Sequence, residues 1–176
     1  MNTGNIILAT AMMLSAASVF FMIRNMRSDE KSFLAGQRLF YITGILIFFA
    51  VLMLFNSLIN NEFHYAYVFS NSSKAMPFYY KIAAFWAGVE GSFLFWLMVL
   101  NICGLFAIKK KDEFSSIILA AVAVTQVFIL IMLLVKSPFA YVWNNFPGDF
   151  KPWEIPGDGT GMNPLLMDFW MVFHPP

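Results

Sequence analysis

The sequence predicts an all-α fold, a polytopic helical membrane protein with four transmembrane helices, and three observations predict it. Of the 176 residues, 60% are apolar and only 12% charged, against about 25% charged in soluble domains. The chain carries 21 Phe and 12 Met, more than one small core can hide, since a chain of about this size buries only about 70% of its unfolded surface. Four apolar stretches reach the roughly 20 residues that a hydrocarbon core about 30 Å thick demands. A net charge of +1 leaves no electrostatic footprint for nucleic acid, and a mean hydropathy of +0.69 is the opposite of what disorder requires. The single cysteine, Cys103, excludes a disulfide within the chain, and no C-x-x-C-H haem attachment site occurs.

The four stretches run approximately Ile6–Ile23, Leu39–Ile59, Ile82–Ile108 and Ser115–Val135. Lipid offers no partner to exposed backbone polar groups, so each is expected to be a helix. Arg24, Arg27, Lys31 and Arg38 lie between the first two, and Lys109, Lys110 and Lys111 between the last two. The other side has only Lys74, Lys81, Lys136 and Lys151. The positive-inside rule then places both basic loops in the cytoplasm and both ends outside, N-out/C-out. The opening MNTGN is uncharged and the basic residues follow the first span, so that span is read as retained and not as a cleaved signal peptide.

Composition divides the chain at Lys136 into a four-span membrane domain, residues 1–135, and a periplasmic or interfacial tail, residues 136–176. The tail holds seven of the eight Pro, four of the ten Gly, and Trp143, Trp153 and Trp170. Pro and Gly favour turns, and indoles suit the membrane–water boundary. Asn163 as N-cap and Pro164 as first helical residue predict a short interfacial helix over 164–173.

Four features could carry chemistry. Glu90 falls about 12 Å down a continuous third helix, counting 1.5 Å per residue. A carboxylate there must face protein or water or be protonated, which reads either as a proton-handling or cofactor-pocket group or as a structural acid bonded to a neighbouring helix. Ala84, Gly88 and Ser92 form a small-xxx-small stripe that invites a close helix, and Trp86 lies one turn before Glu90. His174, near the end of the predicted short helix, is either an interfacial residue or an imidazole able to ligate haem iron. His64, in the loop after the second span, is a weaker second imidazole on the same side. Lys74 and Lys81 flank SKAMPFYYK and either meet an anionic group, such as a haem propionate, or snorkel at a helix entrance. No phosphate loop, zinc site or nucleophile–base pair is present.

Two strings carry a family resemblance. KIAAFWAGVEGSFLFW, residues 81–96, resembles the K-x-x-A-x-W-x-x-x-E-G-S-x-L-x-W signature of CcmF/CycK/CcsA-type cytochrome c haem lyases, and GMNPLLMDFWMVFHPP, residues 161–176, resembles that family's G-x-N-P-L-L segment ending in HPP. The resemblance implies a cytochrome c-type biogenesis protein that handles haem on the outer face of the bacterial inner membrane, for covalent attachment to apocytochrome c. It implies haem b as the group handled, at a site incomplete in this chain. His174 maps onto an external histidine thought to be an axial haem ligand, while Trp86 and Glu90 map onto the third-span signature without a settled role. The implied partners are a portion carrying the Trp-rich WWD segment, a haem carrier protein, apocytochrome c and the subunits that present its thiols, besides membrane lipid.

The chain departs from the family in having no WWD segment, no second external histidine of the family's kind and no in-membrane histidine pair. Family members are several times longer. The expectation is therefore an N-terminal portion that is inactive alone. Two other readings stand beside it: a transporter or proton-path subunit centred on Glu90, and an inactive truncated fragment.

Overall fold

A computed structural model of the chain describes residues 2–25, 30–107, 113–167 and 170. Among these residues the regular structure is helical, with one isolated antiparallel bridge, Tyr65 to Tyr141. The helices are α1 (Thr3–Asn25), α2 (Glu30–Ile59), α3 (Ala66–Asn71), α4 (Phe78–Ala87), α5 (Val89–Ala107), α6 (Glu113–Val135) and α7 (Val142–Asn145), followed by a 3₁₀ turn, Pro164–Leu166. Four are long and apolar enough to cross a membrane, over Thr3–Arg24, Lys31–Ile59, Val89–Phe106 and Phe114–Val135. The chain is a multi-pass helical membrane protein.

Local sequence explains the ends. Asn2 caps α1 by accepting the Asn5 N–H at 2.9 Å, as short polar side chains do at helix starts. Past the end of α2, Asn61 adopts φ 56°, the left-handed conformation that Asn tolerates better than most residues. Pro138 follows α6 closely, and a proline cannot continue a helix.

Two compact units emerge, residues 1–51 with 94–135, and residues 52–93 with 136–176. In the first, α1 packs on α6. Its core gathers Met22, Phe33, Phe40, Leu119, Ala120 and Ala123. Serines let the helices approach and bond across the contact: Ser15 Oγ donates to the Ala123 carbonyl at 3.1 Å, and Ser18 Oγ to the Gly36 carbonyl at 2.9 Å. Met13, Phe20, Phe48, Phe49, Phe114 and Phe128 point outward with more than half of their surface exposed, a face suited to lipid.

The second unit ties loop to tail. The Ala66 N–H donates to the Ala140 carbonyl at 2.8 Å and the Val142 N–H to the His64 carbonyl at 2.9 Å, across the Tyr65–Tyr141 bridge. Phe139 is fully buried beneath the Tyr65 ring, edge to face at 5.9 Å. Farther along, the tail returns to α3, where the Thr160 N–H reaches the Phe69 carbonyl at 2.8 Å and the Gly161 N–H the Ser72 carbonyl at 3.1 Å.

One expectation about an element is corrected. The third span is not one helix from Ile82 to Ile108: it breaks at Gly88, which is extended at φ −101°, ψ 166°, and α5 starts anew at Val89. Of the tail helix expected over 164–173, Pro164–Leu166 form a 3₁₀ turn and Trp170 is helical, while 168–169 and 171–176 lie outside the described residues. Its start is as read from sequence, with Asn163 Oδ1 accepting the Leu165 N–H at 3.0 Å and Pro164 in the first turn.

Candidate functional site

Residues 84–92 of the signature surround the helix break. Ending α4 at Ala87 leaves carbonyls without helical partners, and a membrane-spanning chain must satisfy them internally. Tyr67, 4% exposed, does so from α3. Its hydroxyl proton is shared between the Ala84 carbonyl at 2.9 Å and the Phe85 carbonyl at 3.0 Å, and its oxygen accepts the Gly88 N–H at 3.1 Å. Burial pushes the phenol well above its ordinary range, so it stays protonated and keeps donating. Ser92 Oγ donates to the Trp86 carbonyl at 2.7 Å, closing the same gap from α5.

The glycines make room for this phenol. A Cβ at Gly91 would stand 1.9 Å from the Phe85 carbonyl oxygen and 2.2 Å from the Tyr67 hydroxyl, and one at Gly88 would stand 2.7 Å from the Tyr67 ring. The stripe Ala84, Gly88, Ser92 is thus no continuous helical ridge. Glu90 sits in the first turn of α5 and not deep along a helix, and it no longer shares a helical face with Trp86. Its carboxylate is 3.1 Å from Lys136 Nζ, with side chains 15% and 66% exposed respectively. Trp86 packs with Met76, Ala83 and Met162, so the signature touches the tail through its indole.

The tail is fastened in two places. Asp158 Oδ1 accepts the backbone N–H groups of Lys74 at 2.8 Å and of Gly159 at 2.7 Å, and these bonds hold its carboxyl below the usual carboxylate range. Gly159 lies where a Cβ would come within 2.0 Å of the Ser72 carbonyl oxygen. Beyond, Tyr80 of α4 donates its hydroxyl to the Met167 carbonyl, and Leu166 and Met167 pack beside Met162. His174, toward which this segment leads, lies outside the described residues, as does Asp168.

His64 is half-buried, with its ring 4.0 Å from Tyr65 and 6.0 Å from Tyr141, centroid to centroid. Desolvation draws its pKa below 6.5, although Glu62 pulls the other way, so the imidazole is neutral at pH 7 and its ring nitrogens suit a metal. Beside it the aromatic row continues, Tyr141 stacked on Trp143 at 4.5 Å and Trp143 tilted toward Trp153 at 5.5 Å. Lys74 is exposed whereas Lys81 is buried. Among the described residues no group of three or more His, Cys, Asp or Glu side chains forms a metal cluster. Sequence reasoning missed Tyr67. Its trace was the pair Gly88 and Gly91, three apart inside an apolar stretch, which marks a backbone approached closely by something else.

No family model matches the chain. Comparison with characterised proteins is informative: the cytochrome c-type biogenesis protein CcmF of Escherichia coli (strain K12) is 28% identical over 98% of this chain, and CycK of Rhizobium meliloti (strain 1021) is 30% identical over 75% of it. The chain belongs to the CcmF-type cytochrome c biogenesis family. NrfE of Haemophilus influenzae, another cytochrome c-type biogenesis protein, is 29% identical over 94% of it. A solved structure described as the cytochrome c heme lyase CcmF shares the fold, with a TM-score of 0.71 at 23% identity, over 79% of this chain and 24% of its own length. This CcmF-type chain spans 26% of the Escherichia coli relative and 19% of the Rhizobium one.

Proposed function

We propose that the chain is the haem-handling N-terminal portion of a cytochrome c haem lyase, working on the outer face of the bacterial inner membrane. Haem is the cargo, destined for thioether attachment to apocytochrome c. In this reading the molecule is N-out/C-out, with residues 1–135 as membrane domain and 136–176 as the periplasmic or interfacial tail. His174 is an axial ligand to the haem iron. The observation that carries the reading is the fastening of the GMNPLL string: Gly161 to Ser72, Asn163 as cap, and Met167 to Tyr80. Residues 161–167 are thus tied to the loop after α3 at one end and to α4 at the other, with the capped turn between, and a fixed backbone of this kind is what a ligand-bearing string needs.

The residues present suit such a cargo in part. His64 offers a neutral imidazole against aromatic rings, and the row Tyr141, Trp143, Trp153 offers apolar planes beside it. Trp86 fixes Met162 of the tail against α4, and the Glu90–Lys136 pair joins the start of α5 to the residue after α6. In this reading neither Trp86 nor Glu90 touches the haem: both position backbone. A haem carrier, apocytochrome c, thiol-presenting subunits and a second portion with a Trp-rich WWD segment complete the system.

The test is co-expression of this chain with a partner carrying the Trp-rich segment, followed by the absorption spectrum of the purified membrane complex. The expected result is a haem Soret band that requires both chains and falls several-fold with His174→Ala. A band indifferent to His174 sinks its assignment. A pH-dependent flux lost in Glu90→Gln, with His174→Ala silent, would favour a proton path in its place.

A further inference from the structure

Lys81 stands in the first turn of α4 and is 8% exposed. Lysines are almost never this buried unless paired, and an ammonium brings a full charge and three N–H donors. Here Nζ makes one hydrogen bond, to Asn61 Oδ1 at 2.6 Å. Asn61 is neutral, and it stands in the left-handed conformation at φ 56°. The first turn of a helix is also the positive end of its dipole, which disfavours a cation and favours an anion.

Four carboxylates of the same unit make other contacts. Glu62 accepts the Ser57 hydroxyl at 2.7 Å, Glu90 pairs with Lys136, and Glu154 accepts the Lys151 N–H at 2.9 Å. Asp158 binds two backbone N–H groups and acts on Lys81 only at longer range. Among the described residues Lys81 has no ion pair. A buried charge without a partner costs several kcal/mol, and among the described residues Lys81 Nζ bonds only the neutral Asn61, with no carboxylate at ion-pair distance; Asp168 lies outside the described residues. Phe78 and Tyr79, 59% and 58% exposed, lie beside it as apolar surface, and Tyr80 holds Met167 at the start of the segment leading to His174.

We propose that Lys81 is an anion-binding residue, which takes a carboxylate or phosphate oxygen of an amphiphilic ligand. Two sources carry that chemistry, a haem propionate and an anionic lipid headgroup. The haem source rests on the function proposed above; the lipid source does not.

The experiment follows thermal unfolding and binding in an uncharged detergent, with the 176-residue chain alone for the lipid probes and its complex with the partner carrying the Trp-rich segment for the haem probes. The probes are haem, haem dimethyl ester, phosphatidylglycerol and phosphatidylcholine. Lys81→Met is expected to lose at least ten-fold in affinity for an anionic probe, while Lys81→Arg keeps it. Loss toward haem but not its dimethyl ester identifies a propionate; loss toward phosphatidylglycerol but not phosphatidylcholine identifies a lipid phosphate. Asn61→Asp, which leaves Lys81 in place and gives it an internal carboxylate, is expected to raise Tm without ligand and to weaken the same probe ten-fold, and it decides the matter should Lys81→Met not fold. Lys81-dependent binding of phosphatidylglycerol with no haem binding at all would uphold the anion site and count against the haem function. The proposal is overturned if neither anionic probe binds the wild type, or if the variants bind both as the wild type does.

Discussion

Tyr67 shows how much one side chain settles. Its hydroxyl serves three backbone groups at once, and the two carbonyl contacts are buried. Tyr67→Phe keeps the ring and deletes that service, so it should destabilise the protein by about 1–3 kcal/mol, the cost of leaving buried polar groups unmatched. Thermal unfolding in detergent, followed by circular dichroism, measures it; an unchanged Tm would mean that the backbone at the break finds other partners. His64 makes a prediction about pH. Its folded pKa lies below 6.5, so on acidification through 6.5 the unfolded chain binds a proton that the folded protein refuses. Stability therefore falls from pH 6.5 downward until the folded pKa is passed, and is fully present above 6.5. Tm recorded between pH 8 and pH 5 should show this slope, and His64→Gln should flatten it.

At the scale of elements, the clasp formed by residues 158–161 takes the Phe69 and Ser72 carbonyls at the end of α3, beside the caps that Asn71 and Ser72 supply to the Tyr67 and Val68 carbonyls. Gly159 tolerates no side chain, because its Cβ would press on the Ser72 and Phe69 carbonyl oxygens at 2.0 and 2.8 Å. Gly159→Ala should cost about 1–3 kcal/mol, as other overpacked sites do, and should open the tail to protease before α1 or α6 is cut. Equal protection in the variant would place the tail's anchorage elsewhere. The long helices were legible in sequence because hydrophobic length is a signal that survives without neighbours: α1, the apolar part of α2, and α6 follow the stretches read from composition. The break at Gly88 was not legible, since an apolar run reads as one helix until the phenol that interrupts it is known, and Tyr67 comes from a different element. The Asn163–Pro164 start of the last turn was legible from two adjacent residues, a capping side chain and a proline.

For the whole molecule, the family was legible from the two strings, and their geometry supplies a physical reason for the letters. Glu90 pairs, Gly91 leaves space, Ser92 closes a carbonyl, and Trp86 packs on the tail. The depth expected for Glu90 followed from the straight helix, and the break puts it in the first turn of α5 instead. Buried Lys81 was likewise hidden, because a lysine at a helix entrance ordinarily keeps its charge in water. One feature also constrains the order in which this sequence can change. Gly88 has a backbone conformation open to alanine, and what a methyl group there meets within 3.0 Å is the ring of Tyr67. While the tyrosine is present, alanine at 88 is refused; once the tyrosine is lost, alanine is admitted and favours the helical backbone that glycine resists. The two substitutions are harmful or tolerable according to which comes first, and a lineage that took both could anneal α4 and α5 into one straight rod, carrying Glu90 away from Lys136.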